Sequence, residues 1–101
     1  MTGKERRYLR ALAHRMSPVV IVGQRGVSDA VVRQVDGALI DHELIKVRLG
    51  SECPADRDEV GTTLAERTGA EIAGAIGRVV ILYRPHPERP RIALPRTLPD
   101  A

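Results

Sequence analysis

Residues 19–26 (VVIVGQRG) constrain the fold of this chain more than any other stretch. Four consecutive aliphatic residues, three of them valine, follow Pro18 and end at Gly23. The β-branching and the flanking proline and glycine favour a buried strand over a helix. Ser28 or Asp29 then suits a helix N-cap, because a short side-chain oxygen can accept from a first-turn amide. The stretch predicts a strand, a glycine loop and the start of a helix.

The loop itself, Gly23, Gln24, Arg25 and Gly26, has two interpretations. The first is a phosphate site, because glycines let a backbone approach a ligand closely and the N-terminus of a helix attracts anions. Arg25 would then act as a planar fork for phosphate. The second is a tight turn that needs glycine at positions of positive φ. These four residues alone leave both interpretations open.

Composition narrows the class of protein. One hundred and one residues form one domain, and with only two tyrosines as aromatics the chain offers no stacking platform for bases. The single cysteine, Cys53, excludes an internal disulfide and disfavours a thiolate zinc site. No apolar run is long enough to span a bilayer, and the N-terminal stretch is charged. We expect a cytoplasmic protein without cofactor or metal.

Charge is unevenly distributed along the chain. Residues 1–34 carry a net charge of +5, residues 35–77 carry −5 and residues 78–101 carry +3. Basic ends around an acidic middle predict a one-sided electrostatic field, which is typical of proteins that bind polyanions. An unevenly charged but merely solvated surface is the alternative.

A basic helix is predicted at the N-terminus, over residues 4–15. Leu9, Leu12, Ala13 and Met16 form its apolar stripe, with helical spacing. The polar positions are candidates for a nucleic-acid contact face, although an ordinary solvated face would look similar; they are Lys4, Arg7, Arg10, His14 and Arg15.

The remaining patterns complete an α/β domain of order α-β-α-β-α-β-β. Helices are predicted over residues 29–41 and 54–68, and strands over residues 44–49, 71–76 and 79–83. Right-handed crossovers and a final hairpin give a four-stranded mixed sheet packed with helices. We expect the Gly77-Arg78 turn to share a sheet edge with the glycine loop, and Gly37 to pack closely on the sheet. Five prolines after Tyr83 indicate an extended tail laid along the domain through Ile92 and Leu94.

Four blocks of the sequence, in order, resemble a known family, the CRM domain (chloroplast RNA splicing and ribosome maturation). The chain is similar to its stand-alone bacterial form, the YhbY-like proteins, over about residues 4–94. The blocks are LRALAH leading to PVV (residues 9–14 and 18–20), VGQRG (residues 22–26), HELIKVR (residues 42–48) and IGR with LYR (residues 76–78 and 82–84).

This resemblance implies a domain at residues 1–94, a tail at residues 95–101, and a fold similar to the C-terminal domain of translation initiation factor three. It also implies an RNA-binding protein whose partners are structured RNA, large-subunit ribosomal RNA and pre-ribosomal particles. Separately, we expect a monomer. The implied RNA surface is the glycine loop with the basic helix, to which Arg78 would add its charge. The family usually has a basic residue after the first glycine, where this chain has Gln24.

Three other functions remain as alternatives. A metal-dependent nuclease would have to use acids such as Asp36, Asp41 and Glu43, but none is paired with His or Cys at ligand spacing. An architectural DNA-binding protein would bind duplex DNA as well as RNA. A protein adaptor would use the acidic third helix.

Overall fold

The computed structural model describes residues 1–95, so residues 96–101 of the predicted tail lie outside the described part. Three helices and four strands follow one another in the predicted order, which confirms the α/β fold class. Their bounds are α1 Gly3–Ala13, β1 Val20–Val22, α2 Asp29–His42, β2 Leu44–Leu49, α3 Arg57–Thr68, β3 Glu71–Ile76 and β4 Val79–Tyr83.

The helix starts follow the capping side chains. Ser28 is the N-cap of α2, and its hydroxyl accepts from a first-turn amide at 3.2 Å. Asp56 caps α3 in the same way at 2.9 Å. The predicted start of α3 at Pro54 is therefore wrong by three residues, because the cap places Arg57 first in the helix.

The four strands form one mixed sheet in the order β1-β2-β4-β3. β1 runs parallel to β2, whereas β4 runs antiparallel to both β2 and β3. β1, β2 and β3 therefore point the same way, and the segments that follow them share one end of the sheet. We call this the loop end; it contains Gly23, Gly50 and the Gly77-Arg78 turn, as the sequence predicted for the first and last of these.

Apolar side chains cover both faces of the sheet, and each face carries different helices. α2 and α3 lie over one face, on a cluster that includes Val22, Val47 and Leu82. α1 lies over the other face, where Leu9 and Ala13 are fully buried. Since α1 contacts β2, β3 and β4 in particular, the β1 side of that face stays open.

Two packing predictions are wrong. A Cβ built on Gly37 would meet no atom within 4 Å, so Gly37 does not pack closely on the sheet. Gly61 of α3 does so instead, since a Cβ there would lie 3.3 Å from Val80 and 3.4 Å from Ile72. Leu12, predicted on the buried stripe of α1, is 40% exposed.

One buried carboxylate holds the chain that follows β4. Glu43 lies between α2 and β2 with a positive φ of 64°, and no part of it is exposed. Its two oxygens accept from the backbone N–H groups of His86, Arg91 and Ile92 at 2.7–3.1 Å. Burial alone would raise the pKa of Glu43, but the three donors outweigh it, so its pKa lies below the ordinary value.

Arginine side chains and apolar contacts complete this attachment. Arg84 binds Asp36 and the Thr68 carbonyl, both at 2.7 Å. Ile92 and Leu94 pack against the cluster beneath α1, along the path predicted for the tail. The segment from residue 84 to residue 94 is therefore part of the folded domain.

The register of β1 predicts which of its residues stabilise the fold. Val22 is fully buried, whereas Ile21 is 52% exposed on the other face. We expect Val22→Ala to lower the free energy of unfolding by about 1–3 kcal/mol through lost transfer energy and a cavity. Ile21→Ala should change it by less than about 0.5 kcal/mol. Urea denaturation of both variants measures this, and equal losses would show that the register is wrong.

The Glu43 contacts predict a pH dependence of stability. Because the folded pKa lies below the unfolded one, Glu43 stabilises the fold above the unfolded pKa of about 4.3, and this stabilisation is lost as pH falls through the folded pKa. Glu43→Gln should cost about 2–3 kcal/mol at neutral pH, since one acceptor oxygen becomes a donor facing N–H groups. Urea denaturation across acidic pH should show a flatter profile for this variant. Glu66→Gln, at an exposed site on α3, is the control and should match the wild type.

Candidate nucleic-acid interface

The glycine loop is a closed turn that presents two side chains to solvent. The Gly26 N–H donates to the Gly23 carbonyl at 3.0 Å, which closes the four-residue turn. Gln24 and Arg25 lie exposed at its tip. Within residues 1–95, Arg25 forms neither a hydrogen bond nor an ion pair, so its guanidinium is available to a ligand.

The two glycines of this loop differ in their structural roles. Gly26 is buried, has a φ of 63° and lies against Pro54. Gly23 has a negative φ, and a Cβ built there would meet nothing within 4 Å. The turn therefore requires glycine at Gly26 but gives no reason for it at Gly23, where a missing Cβ leaves room for a ligand to approach the backbone.

The N-terminus of α2 is less free for an anion than the sequence suggested. The Ser28 hydroxyl already accepts from the Val31 N–H. Asp29, in the first turn, carries a negative charge and pairs with Arg67 at 2.9 Å. The loop and Arg25, rather than the helix amides, are therefore the part of this segment that could hold phosphate.

The predicted basic residues of α1 and its end are all exposed. They are distributed along the helix, so that Lys4 and His14 are separated by about 15 Å of helical rise. The start of α1 lies at the end opposite the loop end, where the N-terminal amine is 3.9 Å from Glu71. The exposed set is Lys4, Arg7, Arg10, His14 and Arg15.

Two contacts hold the second half of α1 on the sheet. A Cβ on Gly74 would overlap the aliphatic stem of Arg10, so the glycine makes room for that side chain across β3. The Lys46 ammonium donates to the His14 carbonyl at 3.4 Å, at the negative end of the helix dipole. Arg10, His14 and Lys46 therefore lie together beside the open sheet face.

Arg78 has a structural role in addition to its predicted one. Its guanidinium donates to the Leu49 carbonyl at 3.2 Å and to the Gly50 carbonyl at 2.6 Å. The Gly50 N–H in turn donates to the Val22 carbonyl at 2.8 Å. Arg78 thus joins the β3–β4 turn to the segment after β2, and a contact from Arg78 to RNA stays a prediction.

Sequence reasoning missed Lys46 and Arg48 as site residues. The apolar–polar alternation of residues 44–49 puts both on one side of the strand together with Leu44, but only the fold shows that this side faces α1. Arg48 is exposed and lies beside Ile21 of β1 in the register. The basic surface thus continues from α1 across the sheet towards the loop end.

Ion pairing differs between the two faces of the domain. The arginines that pair with acids belong to α3 or follow β4, namely Arg57, Arg67 and Arg84. Among the described residues, no side chain of the predicted basic set forms an ion pair. The acids of α3 lie on the side of the sheet opposite α1, and the one-sided field stays a prediction.

Metal sites and membrane-spanning helices are two further features that the structure of residues 1–95 bears on. No group of three or more His, Cys, Asp or Glu side chains in this part of the chain is placed to hold a metal ion. None of its helices is long and apolar enough to cross a membrane.

Comparisons with known proteins give one matching family model and relatives that align with nearly the whole chain. The model of the CRS1 / YhbY (CRM) domain matches residues 1–84. The chain is 36% identical to a Bacillus subtilis protein named "Probable RNA-binding protein YqeI" over 94% of this chain and 99% of that one. A Haemophilus influenzae protein named "RNA-binding protein" is 33% identical over 95% and 96%. The solution structure of SAV1595 from Staphylococcus aureus has a TM-score of 0.80 and 38% identity, over 94% and 99% of the two chains.

The geometry of the loop predicts different effects on stability at its two glycines. Gly26→Ala places a Cβ at positive φ and should cost about 1–2 kcal/mol. Gly23→Ala meets no atom and should be neutral or slightly stabilising. Thermal melts of the two variants test this, and a lower melting temperature for Gly23→Ala would mean that both glycines serve the turn.

Proposed function

Because the chain belongs to the CRS1 / YhbY (CRM) domain family, we propose that it binds RNA through the glycine loop and the basic side chains of α1. Relatives across nearly its whole length are named as RNA-binding proteins, which supports the class of ligand. We place the protein in the cytoplasm, as a monomer without catalytic activity, bound to precursors of the large ribosomal subunit. This target is what the family resemblance implies.

The proposal rests mainly on one observation, which is that among the described residues the cations of α1 and the loop tip are unpaired whereas most arginines on the opposite side of the sheet are paired. On the α2 and α3 side of the sheet Arg57, Arg67 and Arg84 pair with carboxylates and Arg33 does not, whereas in residues 1–95 none of the arginines of α1 and the loop tip forms an ion pair. Unpaired cations on one surface lower the free energy of a bound polyanion, because they neutralise phosphates and release condensed counterions.

Gly23 and Arg25 have distinct roles in this proposal. Gly23 lets a phosphate approach the backbone at the loop tip, since nothing else in the fold requires glycine there. Arg25 offers a planar donor fork beside it. Gln24, where the family usually has a basic residue, would contribute hydrogen bonds without charge.

Salt dependence tests this mode of binding. With four to six basic contacts, log K should fall against log salt with a slope of about −3 to −5. Arg25→Ala should weaken binding by about 1–3 kcal/mol and flatten the slope by about 0.7–0.9, as expected for one lost phosphate contact. Gly23→Asp should weaken binding with the melting temperature unchanged. Titrations of fluorescent RNA hairpins at several salt concentrations give these values.

Arg89→Ala is the matched control, because it removes the same charge from an exposed site near Glu43, at the sheet end opposite the loop end. Its affinity and slope should stay close to those of the wild type. Equal losses for Arg25→Ala and Arg89→Ala would indicate a dependence on net charge alone. Duplex DNA is the competitor to include, since equal affinity for it at matched salt would favour the DNA-binding alternative.

A further inference from the structure

A groove beside α1 lies outside the loop and contains exposed apolar side chains. It encloses about 300 Å³ between the second half of α1 and the sheet. Ile81, almost fully buried, forms its floor, and Ile76, 70% exposed, forms one wall. The rest of the groove is lined by Arg10, His14, Lys46 and Ala75.

The strand register shows how this groove continues across the open sheet face. Two rows of side chains cross the sheet on the α1 side, the inner one over three strands and the outer one over all four. The inner row carries Lys46 beside Ile81, with the stem of Arg10 over Gly74. The outer row, nearer the loop end, runs in strand order through Ile21, Arg48, Val79 and Ile76.

We propose that this groove binds the base of one unpaired RNA nucleotide, which lies against Ile76 and Ile81 while its flanking phosphates contact Arg10 and Lys46. The proposal rests on RNA binding as proposed above and adds a second kind of contact. Charge complementarity identifies the occupant, because the apolar surface is bordered by cations and by no acid among its lining residues. An anionic chain with flat, largely apolar rings satisfies both parts of the surface.

Aliphatic side chains suit this role in a chain with few aromatics. Tyr83 is buried, so it cannot stack on a base, and Tyr8, although 39% exposed, does not line this groove. A base can instead cover Ile76, whose side chain otherwise exposes apolar surface to water. Contact with one isoleucine is worth roughly fivefold to tenfold in affinity, as expected for burying a large part of its side chain.

The test separates base contacts from phosphate contacts. Two RNA hairpins share one stem, and the second has an abasic loop that keeps every phosphate. The wild type should bind the intact loop about five to ten times more tightly than the abasic one. Ile76→Ser should lose this preference, while its binding to the abasic hairpin, its salt slope and its melting temperature stay unchanged.

Ile40→Ser is the matched control, because Ile40 is 57% exposed on α2, which lies over the other face of the sheet. It should retain the wild-type preference. If Ile76→Ser retains the preference as well, or if the wild type binds both hairpins equally, the groove does not hold a base. Those results leave the proposed function intact, provided that binding weakens with salt. If the wild type binds neither hairpin, or binds them with an affinity that does not depend on salt, both proposals are wrong.

Discussion

The antiparallel pairing of β2 with β4 is the contact on which the rest of the structure depends. These two central strands carry apolar side chains on both faces, so each face must be covered by a helix layer. On the side of β2 that faces α1, the side chains change along the strand from the buried, apolar Leu44 to the basic Lys46 and Arg48. The helix cover is needed only where the strand is apolar, and the basic half of the same face is left to solvent.

The two ends of the sheet have correspondingly different chemistry. At the start of β2, Glu43 accepts backbone hydrogen bonds from the segment after β4, and Arg84 pairs with Asp36. Donors and acceptors there satisfy one another inside the protein. At the loop end, Arg25 lies exposed and Gly23 leaves its backbone approachable. The buried Glu43 carboxylate and the Arg84–Asp36 pair thus lie at one end, whereas at the loop end Arg78 bonds to backbone carbonyls and Arg25 carries its charge without an ion pair in residues 1–95.

Local sequence signals predicted the element order and most boundaries. The predicted strands of residues 44–49, 71–76 and 79–83 match the structure because each is followed within two residues by a glycine or a proline, which is a local signal. Gly77 has the positive φ of 56° that the predicted hairpin turn requires at its first position. The sharing of one sheet end by the glycine loop and Arg78 followed from strand direction alone.

What could not be predicted depends on distant partners. The Glu43 carboxylate binds amides 43 or more residues away, and no local pattern marks it as different from the other acids. Gly37 and Gly61 both interrupt helices, yet only the three-dimensional packing shows that Gly61 is the one against the sheet. The same limit applies to Lys46 and Arg48. The apolar–polar alternation of residues 44–49 identifies a more polar side of the strand but not the helix that lies beside it.

The arrangement of charge and apolar surface bears on what kind of RNA recognition this domain could perform. Phosphate contacts position a nucleic acid without reading its sequence, whereas contacts to bases discriminate. In the proposed mode of binding, the cations of α1 and the loop would supply the first kind and would bind many RNAs with similar, salt-dependent affinity. Within residues 1–95, Ile76 and Ile81 combine an apolar surface with neighbouring cations in one groove. If this groove binds a base as proposed, an unpaired nucleotide can enter it and a base inside a duplex cannot, so we expect a preference for single-stranded loops over uniform duplex.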